Sequence, residues 1–203
     1  MLLDWLNSTA VTAFGAPTSW AEVLGFATGA LCVWLVVRQH IANWPLGIAN
    51  AVMLSLVFLD AALYADAGLQ VVYVVLNAYG WWHWARGGNG ATLLPVRHTT
   101  RAEWIGQVAA GVLITAGLCW WLATHTDSTT ELPDAATTAL SLMATYGQSR
   151  KLLESWWLWI TADLIYIPLY GYKGLWLTAL LYVLFLGLCV AGLRSWRRAV
   201  VPA

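Results

Sequence analysis

Apolar positions in this chain come in long blocks, not in short alternating periods. Runs rich in Leu, Val, Ala, Trp and Gly cover residues 20–38, 46–64, 68–85, 103–124, 135–149, 157–171 and 174–194. Most approach the ~20 residues that a helix needs to cross a bilayer; the fifth and sixth are shorter. Polar and helix-breaking clusters separate them: Asn43-Trp44-Pro45, Ala65-Asp66-Ala67-Gly68, Gly87-Gly88-Asn89-Gly90 and Pro133-Asp134. The runs are too long and too uniform to be β-barrel strands. The pattern predicts seven transmembrane helices. Ahead of them, residues 2–14 mix Leu, Trp, Val and Phe with Asp, Asn, Ser and Thr, which predicts a short amphipathic helix lying at the membrane interface. The opening Met1-Leu2-Leu3-Asp4-Trp5 has no basic region and does not read as a signal peptide.

Composition agrees. Of 203 residues, 60% are hydrophobic and only 10% charged, and the mean hydropathy is +0.66. Soluble domains carry about a quarter charged residues, so this is an all-α, polytopic membrane protein. The net charge is zero, and without a basic tail nucleic acid is an unsuitable partner. Charge placement says more than the total. With seven spans, Arg38, Arg86, Arg97, Arg101, Arg150, Lys151, Arg194, Arg197 and Arg198 share one side, and only Lys173 lies opposite. The excess of cations marks that side as cytoplasmic, leaving the N-terminus outside and the C-terminus inside. Asp66, Asp127, Glu131 and Asp134 fall on the outer face.

The ends of the chain also match each other. Trp44, Gly80 and Trp84 precede Trp156, Gly192 and Trp196 by 112 residues, and Glu22, Trp34 and Arg38 precede Asp134, Tyr146 and Arg150 by the same interval. This offset maps span one onto span five and the end of span three onto the end of span seven. Span four has no counterpart, so the architecture is three plus one plus three, with parallel triple-helix repeats related by a pseudo-two-fold axis along the membrane normal. Tyr64–Leu69 matches Tyr170–Leu175 at an offset of 106, which predicts a six-residue slip and unequal second and sixth spans. The chain divides into an interfacial segment 1–17, a first repeat 18–86, a linker with the fourth span 87–126 and a second repeat 127–198. Gly68, Gly80, Gly174 and Gly187 are places for close helix approach or bending, and Pro168 for a kink.

Polar residues inside spans are costly unless they face a partner or a cavity. Trp156, Trp159, Asp163, Tyr166 and Tyr170 recur at intervals of three and four on one helical face, as do Gln70, Tyr73, Asn77 and Trp84, and Thr178, Tyr182 and Phe185. Asn50 and Asp60 lie on span two. Ser141 and Thr145 read as groups that bond their own backbone or bridge helices. Trp44, Trp81, Trp82 and Trp156 read as interfacial anchors. Asp163 is the exception, because an acid near mid-membrane costs ~2.5–3.5 kcal/mol. Aromatic faces with a carboxylate between them suit a flat, polar, cationic ring, and amides suit sugar hydroxyls. A site built from Asn50, Gln70, Tyr73, Asn77, Trp159, Asp163, Tyr166, Thr178 and Tyr182 would bind such a solute midway across the membrane, between two repeats that move against each other. Asp163 stands one residue off the 112-offset from Asn50, as if a shared polar position held an amide in one half and an acid in the other. Cys32, Cys119 and Cys189 read as packing residues, with no metal spacing. His40, His83, His98 and His125 fall at opposite membrane ends with no local acid at metal spacing, and no hydrolase or metalloprotease motif occurs. Neither an enzyme nor a cofactor site is expected, and no charge ring or carbonyl filter suggests an ion channel.

Trp44-Pro-Leu-Gly-Ile-Ala-Asn50, Leu63-Tyr64-Ala65, Leu69-Gln70-Val-Val-Tyr73 and Asn77-Ala-Tyr79-Gly80-Trp81-Trp82-His83-Trp84 resemble the PnuC family of vitamin transporters. So do Trp156-Trp-Leu-Trp159, Asp163, Tyr170, Lys173-Gly174-Leu175 and the stretch from Gly192 to Trp196. The resemblance covers residues 20–196. It implies facilitated diffusion of nicotinamide riboside, an NAD precursor, across a bacterial inner membrane, with trapping by phosphorylation inside. It also implies a fold like the full-length SWEET sugar transporters and a homotrimer, with Asn50, Gln70, Asn77, Trp159, Asp163 and Tyr166 along the substrate path. Family members often carry Asn where this chain has Asp163. A carboxylate suits the cationic rings of nicotinamide riboside or thiamine better than neutral riboflavin, so thiamine and then riboflavin are the alternatives.

Overall fold

The computed structural model describes residues 2–13, 16–60, 64–87, 94–126, 130–172 and 176–200. They belong to two compact units, Met1–Leu94 and Pro95–Ala203.

The first unit opens with α1 (Leu2–Asn7) and an antiparallel hairpin of β1 (Thr9–Ala13) and β2 (Ala16–Ser19). The helix is thus shorter than the 2–14 expected. Thr9, Val11 and Thr12 are β-branched and favour a strand, and Ser8 Oγ closes the helix end by donating to the Trp5 carbonyl at 2.7 Å. Trp5 stacks on Trp20 with centroids 5.4 Å apart, and Asn7 Nδ2 donates to Asp60 Oδ2 at 2.9 Å. Then α2 (Trp20–Val37), α3 (Asn43–Asp60) and α4 (Tyr64–Arg86) follow, each packed on the next.

The second unit holds α5 (Arg101–His125), α6 (Glu131–Ser149), α7 (Ser155–Tyr172) and α8 (Trp176–Ala199), again packed consecutively. The fourth long helix, α5, packs on α6 within the second unit. A capping box starts it: Thr100 Oγ1 accepts from the Glu103 N–H, and Glu103 Oε2 from the Thr100 N–H at 2.9 Å. The strand-like segment ahead of α5 lies against the α6–α7 loop. Arg97 N–H donates to Lys151 O at 3.2 Å, Leu153 N–H to Arg97 O at 3.0 Å, and Val96 bridges to Val200. Arg97 grips Glu103 with both guanidinium nitrogens at 2.8 and 2.6 Å. Glu154 accepts from Thr99 N–H at 2.8 Å and Thr99 Oγ1 at 2.7 Å, and pairs with His98 Nδ1 at 2.7 Å. Local spacing does not reveal this pair, because 56 residues separate its members.

Five of the seven long helices are longer than their apolar runs, and α2 and α3 are one residue shorter. The two short spans are helices of 19 and 18 residues, extended by polar ends such as Glu131 and Ser155. Among the described residues, Asn43–Asp60, Arg101–His125 and Thr178–Ala199 are long and apolar enough by composition to cross a membrane. The polar groups of α6 are turned inward. On α6 the buried residues include Thr137, Ser141, Thr145, Gln148 and Ser149, whereas Ile105 and Leu113 of α5 are 72% and 74% exposed. Small and polar residues inside with aliphatic residues outside is the pattern of helices packed in lipid.

The two units repeat each other in detail. α3 and α7 each have 18 residues and start 112 apart, and α4 and α8 start 112 apart. There is no six-residue slip. Tyr64 opens α4 while Tyr170 lies in the last turns of α7, so the 106-offset match pairs unlike positions. Both loops after the first helix of a repeat turn through a left-handed residue, Gln39 (φ 53°) and Lys151 (φ 50°). His40 N–H reaches Leu35 O at 2.8 Å and Leu152 N–H reaches Gly147 O at 2.9 Å, the six-to-one bond of the same helix-ending motif. Trp44 packs edge-on against Trp84 at 5.3 Å and 84°, and Trp156 against Trp196 at 5.4 Å and 90°. A Cβ on Gly80 or Gly192 would overlap the Trp44 or Trp156 ring. Trp44 and Trp156 are 2% and 0% exposed, so they are core wedges and not interfacial anchors; the missing glycine side chain makes their room. Trp81 and Trp82 are exposed. At Gly68 and Gly187 a Cβ would meet nothing within 4 Å, so neither serves a close approach within these contacts. Gly174 and Lys173 lie outside the described residues. α7 continues as one helix through Pro168.

Candidate functional site

In the second unit the expected residues of α7 and α8 converge with partners on α6. Asp163 is 2% exposed. The Cys189 thiol lies within hydrogen-bond reach of its carboxyl group, while Oδ2 is buried with no partner. One turn on, Tyr166 has Thr137 and Ser141 of α6 near its hydroxyl. Its ring lies 4.5 Å from Tyr182 and 5.6 Å from Tyr170, and Tyr170 stacks on Tyr182 at 5.2 Å with 11° between planes. Phe185 closes the group against Tyr182 at 5.7 Å. Trp159 is half-buried on the Asp163 face, one turn earlier, and Thr178 is half-buried one turn before Tyr182.

In the first unit, Asn77 Nδ2 donates to its own helix at Tyr73 O, 2.7 Å away. Its Oδ1 rests where Gly47 lacks a side chain: a Cβ there would come within 2.5 Å. Gln70 is half-buried one turn before Tyr73. Asn50 Oδ1 is buried without a partner and faces Gly25. Among the described residues, five buried side-chain atoms lack a hydrogen bond: Trp44 Nε1, Asn50 Oδ1, Arg150 Nε, Trp156 Nε1 and Asp163 Oδ2. Two belong to the symmetric tryptophans. Asn50 and Asp163 are the two within helices whose acceptor atoms stand ready for a donor.

The constant offset pairs the candidate faces. Gln70, Tyr73 and Asn77 of α4 occupy the positions of Tyr182, Phe185 and Cys189 of α8. Asn50 corresponds to Ala162, and Asp163 to Ala51, so the amide and the acid are not one inherited position. Both alanines are buried, at 0% and 3% exposure. Sequence reasoning did not single out Thr137, and it read Ser141 and Cys189 as structural groups. Alignment of Cys189 with Asn77 at offset 112 would have flagged the thiol. Thr145 bonds its own helix as expected, donating to Ser141 O at 2.8 Å. Among the described residues, no three His, Cys, Asp or Glu gather as a metal site.

Helices that turn small polar groups inward and aliphatic groups outward belong to an integral membrane protein. A family model described as nicotinamide mononucleotide transporter matches residues 19–198. The chain belongs to that family, whose members are membrane transporters, and it is a multi-pass transporter of the PnuC type. It is 29% identical over 197 residues to the riboflavin/roseoflavin transporter RibM of Streptomyces davaonensis, covering 96% of this chain and 92% of that one. It is 30% identical to the nicotinamide riboside transporter PnuC of Neisseria mucosa, over 98% of this chain and 80% of the other. Identity to PnuC of Escherichia coli is 25%, over 92% and 88%. A crystal structure of the vitamin B3 transporter PnuC matches with a TM-score of 0.69 and 26% identity, covering 89% of this chain and 81% of that chain.

Proposed function

We propose that this protein carries nicotinamide riboside across a bacterial inner membrane by facilitated diffusion, with net uptake maintained by phosphorylation inside. The observation that carries this reading is the buried, unpartnered Oδ2 of Asp163 beside the stacked Tyr166, Tyr170 and Tyr182 rings. An unpaired buried carboxylate is expensive, and a cationic pyridinium offsets that cost while its flat face meets the rings. Asn50, Gln70, Tyr73, Asn77, Trp159, Thr178 and Tyr182 complete the proposed substrate contacts, the amides serving the ribose. The N-terminus lies outside, the C-terminus is cytoplasmic, and all seven long helices cross the membrane. The homotrimer belongs to the same reading and is checked by light-scattering mass in detergent.

Thiamine offers a similar cationic ring. Riboflavin is the second reading, favoured by the likeness to RibM over 96% of the chain. Calorimetric titration of purified protein with all three ligands separates them. Asp163→Asn keeps the shape and removes the charge. It should weaken nicotinamide riboside and thiamine by about 10- to 100-fold, the range of a charged hydrogen bond, and change riboflavin little. If the parent binds riboflavin most tightly and Asp163→Asn leaves that affinity intact, the riboflavin reading replaces the first.

A further inference from the structure

Two glycines at the contact of α3 with α4 meet different neighbours. At Gly80 an added Cβ would strike the ring of Trp44, which is 2% exposed and has nowhere to go. At Gly47 the three nearest atoms all belong to the Asn77 amide: Oδ1 at 2.5 Å, Cγ at 3.1 Å and Nδ2 at 3.5 Å from the Cβ position. The amide of α4 thus lies over the α3 backbone where a side chain would stand. Its other hold is the bond that Nδ2 donates to Tyr73 O at 2.7 Å. A buried indole cannot yield to a methyl group, but an amide at the end of a short side chain can swing aside.

The second unit makes the opposite choice at the same two positions. The offset of 112 that pairs the Trp44–Gly80 and Trp156–Gly192 contacts places Trp159 at the Gly47 position and Cys189 at the Asn77 position. A large ring stands on α7 and a small thiol on α8, where α3 has no side chain and α4 has an amide. A need of the scaffold would keep glycine in both units, as it does at Gly80 and Gly192. The pairing of Gly47 with Asn77 therefore serves the chemistry of the first unit. One turn beyond Gly47 on the same face of α3, Asn50 Oδ1 is buried without a partner. Asn77 spends one amide hydrogen on Tyr73 O, which leaves its second hydrogen and its oxygen lone pairs. Two amides a turn apart offer donor and acceptor together, and a hydroxyl group, which donates and accepts at once, matches them.

We propose that Gly47 is a positioning residue for the substrate: by carrying no side chain it seats the Asn77 amide against α3, one turn from Asn50, as the surface that receives the hydroxyl groups of the sugar or polyol attached to the ring. This rests on the reading of the protein as a carrier of a ring-containing vitamin. Residue 47 is thereby a specificity element of the first unit, and its equivalent in the second, Trp159, cannot play the same part.

The test is a mutant cycle of Gly47→Ala, Asn77→Ala and the double variant, read by calorimetric binding of nicotinamide riboside, thiamine and riboflavin, by uptake into proteoliposomes and by thermal unfolding. Gly47→Ala should weaken the ligand that the parent binds best by about 5- to 10-fold, raising KM with little change in maximal rate. Its Tm should stay level, because the amide swings away and alanine favours the helix. Asn77→Ala should cost a similar factor, and adding Gly47→Ala to it should cost no more, because the amide through which residue 47 acts is gone. The hydroxyl-free forms of the ligands, 1-methylnicotinamide for the riboside and lumiflavin for riboflavin, should bind the parent and Gly47→Ala alike; a loss as large as that of the full ligand overturns the assignment to hydroxyl groups. Losses that add in the double variant, unchanged affinity in either single variant, or an unfolded Gly47→Ala, which would mean that the amide cannot yield, overturn the proposal and leave the carrier reading intact. A parent that binds none of the three vitamins overturns both.

Discussion

The Trp44 indole fills the space that Gly80 leaves empty, and Trp156 does the same against Gly192. Interiors are packed too tightly to admit a methyl group beneath a ring. Gly80→Ala or Gly192→Ala should therefore cost about 1–3 kcal/mol through overpacking, more than the ~1 kcal/mol that alanine adds in helix propensity. Gly117→Ala on α5, where a Cβ meets nothing within 4 Å, should leave stability level or raise it. Thermal unfolding in detergent checks all three, and equal Tm losses would remove the wedge account. These triplets were visible in the sequence as a repeat, but their role was not. A tryptophan near a span end looks like an anchor until the residue across from it is known to lack a side chain. Asp163 was legible because an acid breaks an apolar run. Thr137, Ser141 and Cys189 were not, since a small polar residue has the same local pattern whether it bonds its own helix or reaches a neighbour.

Helix boundaries were legible to within a few residues where apolar runs end in Gly, Pro or Asn, and poorly where a helix continues through polar residues. The junction of α6 and α7 is such a place. Lys151 turns the chain at φ 50°, a conformation that costs an L-residue about 1–2 kcal/mol, and only 5% of it is exposed. Burial pushes its ammonium down to about 8 from an ordinary 10.5. The neighbouring Glu154 is opposed by burial, yet hydrogen bonds from His98 and Thr99 together hold it below the usual carboxylate range. For Lys151 the folded state releases its proton more readily than the unfolded chain. Stability should therefore rise with pH between about 8 and 10.5. Lys151→Gly removes both the backbone strain and the buried amine. It should raise Tm at pH 7 and abolish that rise, whereas Gln39→Gly, at the equivalent turn of the first unit, should stabilise without altering the pH profile. Parallel melts from pH 6.5 to 10.5 decide this; a Lys151→Gly profile that still climbs above pH 8 would place the titrating group elsewhere.

At the scale of the whole molecule, charge and backbone pairing agree about which ends of the second unit belong together. Val96 bridges to Val200 and Arg97 to Leu152, which gathers Arg97, Arg150, Lys151, Arg197 and Arg198 at one end without reference to a membrane. Asp134, in the first turn of α6, starts from the other end. A bilayer with cations retained on its cytoplasmic side would orient such a unit with the C-terminus inside. Seven crossings would then put the N-terminus outside, where α1 and its hairpin rest against α2 and α3. Ser8 and Arg198 are both exposed and serve as reporters. In intact cells, a membrane-impermeant maleimide should label Ser8→Cys directly and Arg198→Cys only after permeabilisation, with the parent chain and its three cysteines as the blank. Labelling of both from outside would mean an even number of crossings, and the reverse pattern an inverted protein. The orientation bears on transport itself: a passive carrier equalises its solute across the membrane, so accumulation requires the chemistry that consumes the solute to act on the cytoplasmic side, where the basic end would then release it.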